Sequence, residues 1–155
     1  MCNHRLQGGV AMIELAVCMT LLTTLVFGVT EFGRAIMIYD TLAKSARDAT
    51  RFLTVRDPSA AGNVADAKCM AVYGNPNCTG IPLAPGLTTA MVSVCYAADP
   101  TCAPTFQSQG ASPVINLVAV TIGGAGAPYA FTSVVPAVVP SFNFGAITVT
   151  MRQVL

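Results

Sequence analysis

Glu14 is the residue whose chemistry most needs explaining. It stands five positions past Gly9, and from there to Glu31 the sequence LAVCMTLLTTLVFGVT contains nothing ionisable except Cys18. A carboxylate in a run this apolar costs on the order of 2 to 3 kcal/mol at the centre of a membrane helix and less near the interface, and such residues usually mark a pairing or a function. If the chain were cut after Gly9, the new α-amino group of Val10 would lie about one helical turn from Glu14. That amine, or a neighbouring chain's, would then neutralise the carboxylate at low dielectric.

Other chemistry-bearing residues are sparse. Glu31 and Arg34, three apart, have the spacing of a helical ion pair, and Asp40 precedes Lys44 by four in the favourable order; both pairs are expected on a solvated face. Cys69, Cys78, Cys95 and Cys102 form an even set past the apolar run, which reads as two disulfides in an oxidising space. Three connectivities are possible; the short Pro-, Asn- and Asp-bearing loops favour Cys69 with Cys78 and Cys95 with Cys102. Cys18 is expected to be a small buried apolar residue, and Cys2 lacks a lipobox. The single histidine, His4, lies before the apolar run. It leaves no metal set with the cysteines and no base for a nucleophile in the rest of the chain, so no catalytic residue, metal or cofactor is expected.

The elements that position these groups follow from patterning. Val10 to Thr30 rises roughly 30 Å as a helix, about one hydrocarbon thickness, and reads as a transmembrane span. Residues 1–9 form a short leader whose cations, Arg5 and the terminal amine, place it in the cytoplasm. A secretory signal peptide cut after Val26-Phe27-Gly28 is the rival reading. Past Thr30, apolar or small residues recur at Phe32, Ala35, Ile36, Tyr39, Leu42, Ala43, Ala46, Ala49, Thr50 and Leu53. The span therefore continues as an amphipathic helix over 31–57, ended by Arg56-Asp57-Pro58.

Residues 58–155 have room for one small head domain. A short helix is expected over Ala60 to Val72, carrying Cys69. Strands are expected over Ala90 to Tyr96, Pro113 to Ile122 and Phe144 to Val154, with a fourth element over Tyr129 to Val135 and a hairpin turn at Gly123, Gly124 and Gly126. The fold class is α+β, an antiparallel sheet covered on one face by the long helix.

Hydrophobic residues make up 54% of the chain, charged ones only 10%, and the net charge is +1, which gives no footprint for nucleic acid. Ten of the fifteen charged residues fall between Arg34 and Lys68, and after Asp99 only Arg152 remains. The partners implied are lipid and other protein.

Gly9-Val10-Ala11-Met12-Ile13-Glu14 resembles the processing site of type IV prepilins. With the helix exit Glu31-Phe32-Gly33-Arg34, the stretch Ala43 to Arg51 (AKSARDATR) and the terminal Ile147 to Arg152 (ITVTMR), the chain resembles the TadE-like pseudopilins, minor pilins of bacterial tight-adherence (Tad/Flp) pilus machinery. The likeness is good over the first fifty residues and loose over the last forty. Leu15 stands where family members often carry an aromatic.

The resemblance implies a single-pass inner-membrane prepilin. Its leader would be removed between Gly9 and Val10 by a membrane prepilin peptidase, Glu14 would guide assembly, and the head would stand in the periplasm or outside the cell. The implied partners are the peptidase, other Tad pilins and pseudopilins, and the ATPase-driven assembly platform, and the implied role is a structural subunit of a pilus used in attachment. The alternative is a bitopic anchored envelope protein with a ligand- or partner-binding head. A plain anchor should tolerate Glu14→Leu.

Overall fold

A computed structural model of the chain describes residues 7–102, 106–108, 115–124 and 126–154. The leader through Leu6, with Cys2, His4 and Arg5, lies outside the described residues, as do Pro113 and Val114 at the expected strand start.

One uninterrupted helix, α1 (Gln7–Thr54), spans 48 residues, about 72 Å at the α-helical rise. It contains no proline and no charge between Glu14 and Glu31, so its first half has neither a breaker nor a reason to seek water. It stops at Thr54, slightly before the expected boundary, because the head supplies partners for carbonyls at and just past its end. Val154 N–H donates to the Thr54 carbonyl (2.8 Å), and Gln153 Nε2 donates to that of Arg56 (3.4 Å). Pro58 then excludes a further turn.

The buried stripe of α1 differs from the expected one. Ala35, Leu42, Ala46, Ala49, Thr50 and Leu53 are buried as expected, but Phe32 is 63% exposed, and Ile36 and Tyr39 are exposed too. Glu31 and Ser45 are buried in their place. The stripe runs 31, 35, 38, 42, 45, 49, a three-four alternation that starts on Glu31 because the head approaches the helix from that side.

The chain turns into α2 (Asn63–Tyr73), which packs on α1 and starts three residues later than expected. Gly74 caps it in the left-handed conformation (φ 73°), its N–H returning to Met70 O. A single 3-10 turn over Thr89–Met91 precedes β1 (Val92–Tyr96), so this strand starts two residues inside the expected one.

The central strand is β3 (Ile115–Ile122), which pairs antiparallel with β1 (Val94 opposite Val120) and with β6 (Ile147–Arg152; Val149 opposite Val120). A two-residue strand, β2 (Gln107–Ser108), pairs with the start of β3. Alternation sends Val92, Val94, Val118, Val120, Ile122 and Ile147 into one core with Leu42, Ala46, Ala49 and Leu53 of α1 and Ala67, Ala71 and Val72 of α2. On the outer face the Thr121 and Thr148 hydroxyls bond across the pair (2.9 Å). The architecture is the expected α+β, a long apolar N-terminal helix followed by a small antiparallel sheet.

Three expectations are corrected. The glycines after β3 do not make a hairpin, since β3 pairs with β1, β6 and, at its start, β2, and not with the strand that follows the glycines. Instead Gly123 (φ 73°) reverses the chain so tightly that a Cβ there would sit 3.2 Å from Tyr129 N. The fourth element reduces to β4 (Ala130–Phe131), which pairs with β5 (Phe142–Asn143) in a separate two-stranded ribbon. The last strand is shorter than expected, because Phe144 leaves the sheet to pack its ring against Tyr39, Tyr129, Phe131 and Phe142.

Candidate functional site

The first half of α1 stands away from the head with its side chains exposed, among them Val10, Met12, Ile13, Leu21 and Leu22. Cys18 is exposed there as well, correcting the expectation of a buried residue: it faces the helix surroundings, not a protein core. This stretch has the length and hydropathy of a membrane span. Its threonines are compatible with that medium, since each hydroxyl donates to the carbonyl one turn back: Thr20 to Ala16 (2.8 Å), Thr23 to Met19 (2.7 Å), Thr24 to Thr20 (2.9 Å) and Thr30 to Val26 (2.8 Å). Glu14 has no such device. It is exposed, and among the described residues no hydrogen bond or ion pair engages it.

Gly9 and Val10 lie in the opening turns of α1, exposed, with nothing among the described residues within 4 Å of a Cβ placed on Gly9. The first turn of any helix leaves its N–H groups without intrahelical partners. The Gly9–Val10 peptide and the Glu14 side chain are thus on one accessible helix, about one turn apart.

At the other end of the span the exit motif splits in two. Glu31 and Arg34 were expected on a solvated face, yet Glu31 is only 5% exposed. Its Oε2 accepts from Arg34 Nη2 (2.8 Å) and from Val134 N–H (3.4 Å). The same Arg34 nitrogen donates to Thr132 O (2.6 Å), and the guanidinium lies 4.4 Å from the Phe131 ring centroid. The hydrogen bond from Arg34, helped by Val134 N–H, holds the Glu31 carboxyl below its usual range although burial pushes the other way. The pair is a clamp between helix and ribbon. Asp40 and Lys44, by contrast, make the expected exposed pair (2.6 Å).

Phe32 and Gly33 point elsewhere. With Leu25, Gly28, Val29 and Ile36 they form a shallow apolar surface on the side of α1 that the clamp leaves free. The four exit residues therefore serve two ends: Glu31 and Arg34 fasten the head, while Phe32 and Gly33 extend the apolar helix surface outward.

The ribbon partners of the clamp, Phe131, Thr132 and Val134, were not identified from sequence. Two of the three contacts use backbone atoms, which carry no residue signature. The signal available was the absence of charge between Asp99 and Arg152, which leaves that stretch main chain, hydroxyls and aromatic faces to offer an ion pair.

In the head, Cys69 is bonded to Cys78 and Cys95 to Cys102, with Cα–Cα distances of 4.7 and 5.6 Å. The first staples the loop after α2 to that helix. The second closes a turn in which Asp99 accepts from the Thr101 hydroxyl (2.7 Å) and N–H (2.9 Å), bonds that hold its carboxyl below the usual range. Among the described residues no three His, Cys, Asp or Glu side chains gather as a metal site.

No curated protein and no solved structure matches the chain. Residues 9–51 match the family model described as TadE-like protein, the family whose motifs the sequence resembles, and the similarity runs from the first helical turns through the exit clamp to Arg51.

Proposed function

We propose that this protein is a minor pilin or pseudopilin of a Tad-type pilus, a structural subunit with no catalytic role. Its helix crosses the inner membrane with the leader in the cytoplasm and the head on the far side. A prepilin peptidase removes the leader between Gly9 and Val10, and the assembly platform passes the mature chain to other Tad pilins and pseudopilins for a fibre used in attachment.

The observation that carries this reading is Glu14. It is the one carboxylate in the span, it lacks a partner among the described residues, and it lies about one turn from the bond whose cleavage would create an amine. An unpaired charge in hydrocarbon is unfavourable until it finds a counter-charge, so the subunit gains on assembling beside a neighbour's amine or through its own. The free apolar surface around Phe32 and Gly33 suits packing against another helix, where small residues allow close approach.

The test is intact mass and N-terminal sequence of membrane-extracted protein produced with its candidate prepilin peptidase. A chain beginning at Val10 is expected, and Glu14→Leu is expected to insert normally but fail to enter assemblies. A chain left uncut, with Glu14→Leu harmless, would refute the proposal in favour of an anchored head; a start at Val29 would make it a secreted protein.

A further inference from the structure

Between β4 and β5 the chain does not stay with the head. Thr132 O is held by Arg34, Val134 N–H by Glu31, and Val138 Cγ1 lies 3.7 Å from the place a Cβ would take on Gly28. Arg34, Glu31 and Gly28 are successive steps down α1. The segment thus descends about 9 Å along the helix toward its N-terminus, past Thr30. Below it, Val138 borders a groove made by Met19, Thr20, Thr23, Thr24 and Phe27 of the apolar half.

The composition of this segment suits that depth. Val134-Val135-Pro136-Ala137-Val138-Val139-Pro140 has no side chain able to hydrogen-bond, and Val134 is 73% exposed. Most of its N–H groups have an acceptor close by. Ser133 N–H goes to Ser141 Oγ (3.2 Å), Val135 N–H to Ser133 Oγ (3.1 Å), and Val138 and Val139 N–H to Val135 O (3.0 and 3.1 Å). Val134 N–H is taken by Glu31, and Pro136 and Pro140 have no N–H. Within this segment Ala137 is the residue whose N–H has no partner among the described residues. Engaged N–H donors lower the cost of bringing irregular backbone toward apolar depth, where unmet polar groups are expensive, and the carbonyls can face the headgroup side.

We propose that residues 134–140 are a second membrane contact, a wedge lying in the headgroup and acyl boundary of the leaflet from which α1 emerges. This rests on the reading of α1 as a span. The occupant is lipid because the segment runs alongside the helix surface that lipid already covers, and because Val10 to Thr30 matches the hydrocarbon thickness, which sets Gly28 and Val138 inside the boundary of a lone molecule. With no charge between Asp99 and Arg152, the wedge engages the apolar part of the lipid and does not select a headgroup.

The full chain carrying Cys2→Ser and Cys18→Ser, with its disulfides intact, is labelled with an environment-sensitive fluorophore at Ala137→Cys. Companion labels are placed at Leu22→Cys in the span and at Asp48→Cys on the exposed helix. Each protein is placed singly in phosphatidylcholine nanodiscs. The Ala137 label is expected to emit to the blue of the Asp48 label and to be quenched at least about twofold more strongly by lipid spin-labelled just below the headgroup, the depth of interfacial segments. Admixed phosphatidylglycerol should leave both readings unchanged. Quenching at Leu22 with Asp48-like behaviour at Ala137 overturns the wedge and leaves the span standing. No quenching at Leu22 overturns both. An Ala137 label untouched by lipid, yet shielded from aqueous iodide in discs holding several chains, assigns the segment to a neighbouring chain and overturns the proposal.

Discussion

Truncating Phe131 tests whether the β4–β5 ribbon is fastened to the helix as a unit. The ring is 1% exposed. It lies 5.1 Å from Phe142, 6.1 Å from Phe144 and 4.4 Å from the Arg34 guanidinium carbon. Phe131→Ala removes a buried phenyl and should cost about 3 to 5 kcal/mol. Phe131→Leu keeps most of the apolar area and loses the ring geometry, roughly 0.5 to 1.5 kcal/mol for the aromatic pairing and about 0.5 to 1 kcal/mol for a cation–π contact with a partly exposed arginine. Amide hydrogen exchange of the full chain reads these costs by region. At 1.36 kcal/mol per decade, Phe131→Ala should speed exchange at Val134, Val138 and Phe144 by roughly two to four decades, and Phe131→Leu by about one to two. Leu117 and Val120 in β3 should keep wild-type rates, because no residue of β4 or β5 belongs to the sheet core, which the ribbon meets only through the flanking Tyr129 and Phe144. Ribbon exchange that changes less than about tenfold in Phe131→Ala would refute the ring as an anchor. Equal acceleration in β3 would refute the ribbon as a separate unit.

Two further expectations follow from the clamp and the glycines. The folded Glu31 carboxyl titrates below its ordinary value of 4.5, so the attachment it supports is fully present above that pH and is lost as pH falls through the lower folded value. Wild type should therefore hold its ribbon protection better than Glu31→Gln at neutral pH, and the two should converge in acid; a difference that persists undiminished would show that charge is not what Glu31 contributes. Gly28→Ala should raise stability in detergent by up to about 1 kcal/mol, because helix propensity improves and the new methyl meets Val138 at an ordinary 3.7 Å. Gly123→Ala should lower stability by about 1 to 2 kcal/mol, because alanine resists the left-handed conformation; paired thermal melts that rank the two variants the other way would refute the turn geometry.

What the sequence determined by itself is local. A proline-free apolar run of bilayer length has to be helical wherever it sits, since only a helix or a closed barrel satisfies its own backbone in lipid. The α+β class was legible because strand residues alternate and helix residues recur at three and four, and those periods belong to the chain. Gly9, Val10 and Glu14 stood out for a similar reason: a charge in an apolar segment is anomalous before any fold is known.

Tertiary structure decided where the helix meets the head. The wheel could not choose between Phe32 and Glu31 as the start of the buried stripe, because both lie near one edge of it and Phe32 is the more apolar. The choice was made by Thr132 O and Val134 N–H, backbone atoms of a ribbon about one hundred residues away that no side-chain pattern reveals. The expected hairpin failed for a related reason. Gly123 permits a reversal, but the edges of β3 were already taken by β1 and β6, so the chain went down to the ribbon and to the foot of the helix. Turn chemistry is written in one residue, whereas the identity of the next strand's partner depends on which hydrogen-bonding edge is still open.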